Sequence, residues 1–180
     1  MANNDFWTSA NVEPKRKYRF LVDIAGMTEV ENIWFAKSVT KPEITVNSTE
    51  HAYLNHKFYY PGTVEWNEVT LTLVDPVSPD AAAITGRMIE ASGYQGPQAL
   101  NSPTPPTNSK AQAAGAVGDV NIKVIDSEGR TVEMWTLHNA FITKAAYGEL
   151  SYGDDELTEI ELGFRYDWAT LNASGNEYWK

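Results

Sequence analysis

The 180-residue chain carries 14 basic and 24 acidic residues, a net charge of −10, together with 6 Trp, 9 Tyr, 6 Phe and no cysteine. This composition excludes disulfides, thiolate metal sites and a cysteine nucleophile. It also excludes a surface built to grip nucleic acid, which needs lysine and arginine to displace phosphate counterions. So many aromatic residues in an acidic chain exclude disorder over most of its length.

The size predicts one domain, with residues 1–16 as an N-terminal arm and 17–180 as a single β domain. The opening MANNDFWTSANVEPKRKYRF lacks an apolar run, so no secretory leader is expected. No stretch approaches the roughly 20 apolar residues that cross a bilayer. With no cysteine to oxidise, folding in a reducing cytoplasm is expected.

Strand patterning begins at Lys17–Ala25, where Tyr18, Phe20, Val22 and Ile24 share one face. That is the period of two of a half-buried strand. Residues 32–39 form a second candidate, ending at the turn before Pro42. From Glu43 the alternation restarts through Thr45 and Asn47, turns near Leu54–Asn55–His56, and returns through Lys57–Tyr60. Pro61–Gly62 punctuates the chain. Val64–Asp75 then alternates most cleanly of all, with Val69, Leu71 and Leu73 on one side.

The period changes after Ser78–Pro79, which reads as an N-cap followed by proline in the first turn. Ala81, Ile84, Met88 and Ala91 lie three and four apart, and Gly93 is a stop signal, so one amphipathic helix is expected. Residues 95–118 (QGPQALNSPTPPTNSKAQAAGAVG) are rich in Pro, Ala, Ser and Gly and read as an extended excursion. Strands resume at Asp119–Asp126 and Thr131–Leu137, joined by Ser127–Arg130. Phe141–Tyr152 and Glu156–Trp168 follow, joined by Gly153–Asp155. The expectation is a mainly β fold, an antiparallel sandwich or barrel of about eight strands, with one flanking helix and the extended loop.

Catalytic signatures are missing: no nucleophile elbow, phosphate loop or His-Glu-x-x-His occurs. His51, His56 and His138 lack ligand spacing, and no catalytic, cofactor-binding or metal residue is assigned. Glu159 and Glu161 share a strand face at a spacing also used by inverting glycosidases, but any wet strand offers such a pair. Trp66, Trp135 and Tyr147 could stack on sugars, which keeps a carbohydrate-binding sandwich on a virion as an alternative of another class. Buried core is the simpler reading of these rings.

Charge placement says more. Between Lys144 and Arg165 stand Glu149, Asp154, Asp155, Glu156, Glu159 and Glu161, with no base. Acids at alternating strand positions predict one negatively charged sheet face. Such a face destabilises a monomer but suits a channel that must not bind phosphate. Lys15, Arg16 and Lys17 are either a solvated strand entry or a docking patch for a neighbouring copy.

Several segments resemble the tail tube proteins of contractile-tailed phages: Ala36–Val46 with its turn at Pro42, Asn55–Gly62, Glu65–Asp75, Gly148–Leu150 and Glu159–Trp168. They occur in order over most of residues 15–170, and the segment 95–118 lies outside the similarity. The resemblance implies a non-enzymatic structural subunit forming homo-hexameric rings that stack into a tube. Sheath, baseplate and tail terminator proteins would be its partners, on a virion assembled in a bacterial cytoplasm. Four strands per subunit would join a barrel around a DNA-conducting lumen, with no cofactor. Type VI secretion and injection-particle tubes are similar too, and they would carry protein effectors instead. The lumen candidates are Glu149, Glu159 and Glu161. The inter-subunit candidates are Lys15, Arg16, Lys17, Glu43, Thr45 and Asn47, on the arm and the first hairpin. The 95–118 excursion is a third place for contacts between copies.

Overall fold

Alternating apolar residues settle most of the architecture. The computed structural model describes residues 13–27, 33–97 and 107–179. The arm's first twelve residues and much of the Pro-rich segment therefore lie outside the described residues. In chain order the described elements are β1 (Phe20–Ile24), β2 (Ala36–Val39), β3 (Ile44–Tyr53), β4 (His56–Trp66), β5 (Val69–Val74) and α1 (Ala81–Ala91). Next come α2 (Lys110–Val117), β6 (Val120–Ile125), β7 (Thr131–His138), β8 (Phe141–Ala146), β9 (Glu159–Arg165), β10 (Trp168–Ala173) and β11 (Asn176–Tyr178).

The strands form two antiparallel sheets and one detached ribbon. The larger sheet runs β1-β6-β7-β10-β11, the smaller runs β2-β5-β9-β8, and β3-β4 stand apart. Inward positions alternate as the pattern demands: Val22 and Ile24 from β1, Val69, Leu71 and Leu73 from β5, Ile122 from β6 and Leu137 from β7. Ile160, Leu162 and Phe164 of β9 complete the layer between the sheets. Fully burying each such side chain stabilises by about 1.5–3 kcal/mol. Phe164 is 0% exposed, so Phe164→Ala is expected to destabilise by about 3–5 kcal/mol in urea titration, from lost apolar burial together with the cavity left behind. A loss under about 1 kcal/mol would mean this layer is not the core.

The mainly β antiparallel class stands as expected, while several boundaries differ. Strand β4 runs straight through Pro61–Gly62 instead of breaking there. The register slips between Val46↔Val64 and Ser48↔Pro61, a bulge that gives the proline a position it can occupy. Gly62 suits this place because a Cβ would meet the Asn47 carbonyl oxygen at 3.1 Å. Helix α1 is capped by Asp80, not Ser78: its side chain accepts from the Ala83 N–H at 2.8 Å. Gly93, at φ +108°, ends it as expected.

A second helix arises inside the segment expected to be extended. Ser109 accepts from the Gln112 N–H, and the alanine-rich run after it is a good helix former once capped. Val117 buries, and the Gly26 N–H donates to the Val117 carbonyl at 2.8 Å. A Cβ on Gly26 would sit 2.1 Å from the Ala116 carbonyl oxygen, so glycine permits this close approach. Strands β10 and β11, joined at Ser174–Gly175, were also unforeseen.

Candidate functional site: an assembly surface

The ribbon β3-β4 is the most unusual feature. Every residue from Thr45 to Glu65 is exposed, including Val46, Tyr53, Leu54, Phe58, Tyr59, Tyr60 and Val64. A two-stranded hairpin with no third strand is marginal in water, and a long edge carrying apolar side chains is a template for pairing. Thr45 and Asn47 sit on this ribbon, with Glu43 just before it. The Asn67 side chain donates to Thr45 Oγ1 at 3.0 Å, and that of Asn47 donates to Thr63 Oγ1 at 3.2 Å.

At its base the ribbon meets an aromatic cluster. The Trp66 and Trp179 rings lie edge to face at 5.9 Å, and Trp135 stacks on Trp179 at 5.8 Å. Tyr166 adjoins Trp66 at 5.9 Å, and burial pushes its phenol up to about 12. Trp66 and Trp135 thus pack on one another's neighbours rather than forming an open sugar platform, and Tyr147 stands elsewhere. Ile44, Val46, Val64, Trp66, Trp168 and Trp179 line an apolar cleft of about 690 Å³.

Glu133, which carried no signal in the sequence, ties these parts together. It is 8% exposed on β7. It accepts from Lys15, from Lys41 at 2.5 Å and from the Trp135 indole N–H at 2.7 Å. Burial by itself would raise its pKa, but the hydrogen bonds from Lys15, Lys41 and Trp135 prevail and hold it at about 2. One carboxylate therefore fastens the arm, the turn before the hairpin and the larger sheet. Lys15 is accordingly engaged within its own chain, whereas Arg16 and Lys17 line a groove described below.

The exposed face of the smaller sheet departs from its expected uniform negative charge. Glu159 pairs with Lys37 of β2, and Glu161 pairs with Lys144 of β8 at 2.7 Å. Arg165 reaches Glu65 at 2.9 Å. Lys37 comes from a strand distant in sequence, whereas Lys144, which bounds the acidic stretch, reaches Glu161 across the β8–β9 pairing; a count along the chain shows neither contact. Glu68 extends across Gly163 to accept from Thr143 at 2.5 Å; a Cβ at Gly163 would lie 2.2 Å from the Glu68 carboxylate. Glu149 is not on the sheet, because β8 stops at Ala146 and an irregular loop, 147–158, carries Glu149, Asp154, Asp155 and Glu156.

His51 and His56 lie on the two hairpin strands, and His138 stacks on Trp168 at 4.9 Å. Among the described residues no group of three His, Cys, Asp or Glu could hold a metal ion. No described helix is long and apolar enough to cross a membrane.

A two-sheet antiparallel sandwich with a detached ribbon and small flanking helices defines a fold found in contractile injection machines. A chain from the anti-feeding prophage tube-terminating cap matches with TM-score 0.65 and 20% identity, covering 97% of this chain and 100% of that one. One from the sheath–tube complex of the PVC extracellular contractile injection system matches at 0.64 and 18%, covering 96% and 99%. Hcp1 from Salmonella typhimurium matches at 0.52 and 9%, covering 88% and 89%. This chain has the fold those proteins share. No protein-family model matches it, and no curated protein does.

Proposed function

We propose that the chain is a non-enzymatic structural subunit of a contractile-tail tube, six copies closing each ring and rings stacking into a conduit for DNA. The observation that carries this reading is the ribbon: more than twenty consecutive exposed residues, rich in Tyr and Phe, with both strand edges free. Identical copies that complete one another's sheets remove those edges, and closure by rotation makes a ring. Glu43, Thr45 and Asn47 then lie at contacts between copies. The arm and the 95–118 segment are further places for contacts between rings.

The smaller sheet supplies the wall of the lumen in this reading, with Glu159 and Glu161 turned to the bore and Glu149 at its rim. Each lysine on that face is neutralised by a glutamate, and the rim adds unpaired acid. A passing phosphate chain then finds no free cation to displace its counterions. Sheath, baseplate and tail terminator proteins are the partners that accompany such a tube, on a virion built in a bacterial cytoplasm.

A second reading has a specific observation behind it. The solved structures that resemble this chain at TM-scores of 0.64 and 0.65 come from injection particles, so the cargo could equally be a protein effector. Negative-stain microscopy of concentrated purified protein tests the shared claim: rings with a central hole, stacking into tubes, are expected. A strict monomer at every concentration and salt would defeat it. Adding double-stranded DNA or basic protein to open rings separates the cargoes, since DNA is expected to be excluded from the walls without binding.

A further inference from the structure

The two sheets gape where their edge strands β1 and β2 face each other, leaving a groove of about 830 Å³. Its walls are apolar, formed by Phe20, Val39, Ile122 and Val124. Its rim holds six of the chain's fourteen bases; Lys15 and Lys41 are paired with Glu133, Arg19 with Glu13 and Lys37 with Glu159, which leaves Arg16 and Lys17 as the rim bases with no ion pair among the described residues. Two unpaired bases beside an apolar floor fit an anionic segment that also carries apolar side chains.

We infer that this groove receives the 147–158 loop of a second copy of the chain. The inference rests on the tube reading and names the contact within it. That loop has no base and carries Asp154, Asp155 and Glu156. Leu150 is 86% exposed, Leu157 71%, and Tyr152 wholly so. Apolar groups so exposed on an ordered loop mark a surface awaiting cover. The loop and the groove are complementary twice over, in charge and in apolar area.

The chain's own loop approaches its own groove only at its C-terminal end, where Glu159 pairs with Lys37 on the rim and Glu156 lies close enough to help raise the Lys37 pKa. It is rooted on β8 and β9, and β5 stands between β9 and β2. A loop of one copy seated in the groove of the next makes a head-to-tail contact, the kind that generates rings. Glu149, at the start of the loop, is left free for the rim of the bore.

The absence of cysteine gives a clean test. Lys17→Cys and Asp155→Cys variants, both at exposed positions, are purified separately, mixed under assembly conditions and oxidised. A disulfide-linked heterodimer is expected in the mixture and not with either variant alone. In a second arm, Arg16→Glu/Lys17→Glu and Asp154→Lys/Asp155→Lys are each expected to raise the concentration for half-assembly about tenfold or more through like-charge contact. Mixing the two reversed variants restores assembly, because every contact in an alternating ring is again complementary. Cross-linking confined to a double-cysteine chain, with no rescue on mixing, would mean the loop closes on its own groove and overturns the inference. Rings that form while the reversed variants assemble like wild type would overturn the docking alone. A wild type that never forms rings would overturn both the docking and the tube reading.

Discussion

Replacing residues 48–61 with a two-residue turn that keeps Val46 opposite Val64 is expected to abolish ring and tube formation while the monomer stays folded. The expectation follows from burial. No residue in the removed segment contributes to the core, so the fold should lose less than about 1 kcal/mol. Assembly should lose everything, because the excised segment carries most of the ribbon's free edges, along with Phe58, Tyr59 and Tyr60. Interfaces concentrate their energy in such aromatic side chains. Sedimentation velocity and microscopy read the assembly, and urea titration reads the fold. Normal tubes from the shortened chain would end the role given to the hairpin. Collapse of the monomer would show that the ribbon is part of the core after all.

Glu133→Gln is expected to be the most costly single exposed-to-core electrostatic change, and its cost should depend on pH in a defined direction. The carboxyl is held at about 2 against an ordinary 4.5. That depression corresponds to roughly 3 kcal/mol of stability at neutral pH, trimmed to about 2 because both lysines are half exposed. A depressed carboxyl contributes fully above its unfolded value and less as pH falls from about 5 towards 2, where the folded carboxyl is itself half protonated. Wild type should therefore exceed the variant by about 2 kcal/mol at pH 7, and the two should converge in strong acid. Urea titrations at pH 7, 4 and 2.5 measure the gap. A gap that does not shrink in acid would show that shape, not charge, makes Glu133 matter. The variant should also loosen the hairpin base, since Lys41 precedes β3 and loses its anchor.

Both results bear on how sequence and assembly are related here. The monomer leaves a hairpin, an apolar loop and a basic groove all exposed. In a solitary protein these are liabilities, because unpaired edges and apolar patches invite aggregation. In the ring proposed above they become the contacts.

Local pattern was enough to place the strands that matter most. Phe20, Val22 and Ile24, or Val69, Leu71 and Leu73, recur every second residue, and that period allows only a strand with one buried face. The spacing of Ala81, Ile84 and Met88 likewise permits only a helix. The absence of cysteine and of catalytic motifs was also plain, since it needs no geometry. The tertiary structure alone decided what lies beside what. Glu159 and Glu161 read as a bare acidic pair because Lys37 and Lys144 reach them from other strands, and a linear scan cannot see across a sheet. Glu133 looked like any strand carboxylate until Lys15 and Lys41, remote from it along the chain, converged on it. Helix α2 was hidden because a proline-rich neighbourhood masks an alanine run, and only its packing on Gly26 and β8 makes it worthwhile. Periodicity is a property of near neighbours, whereas charge pairing and burial depend on contacts across strands, between residues from 17 to 122 positions apart in the pairs named here.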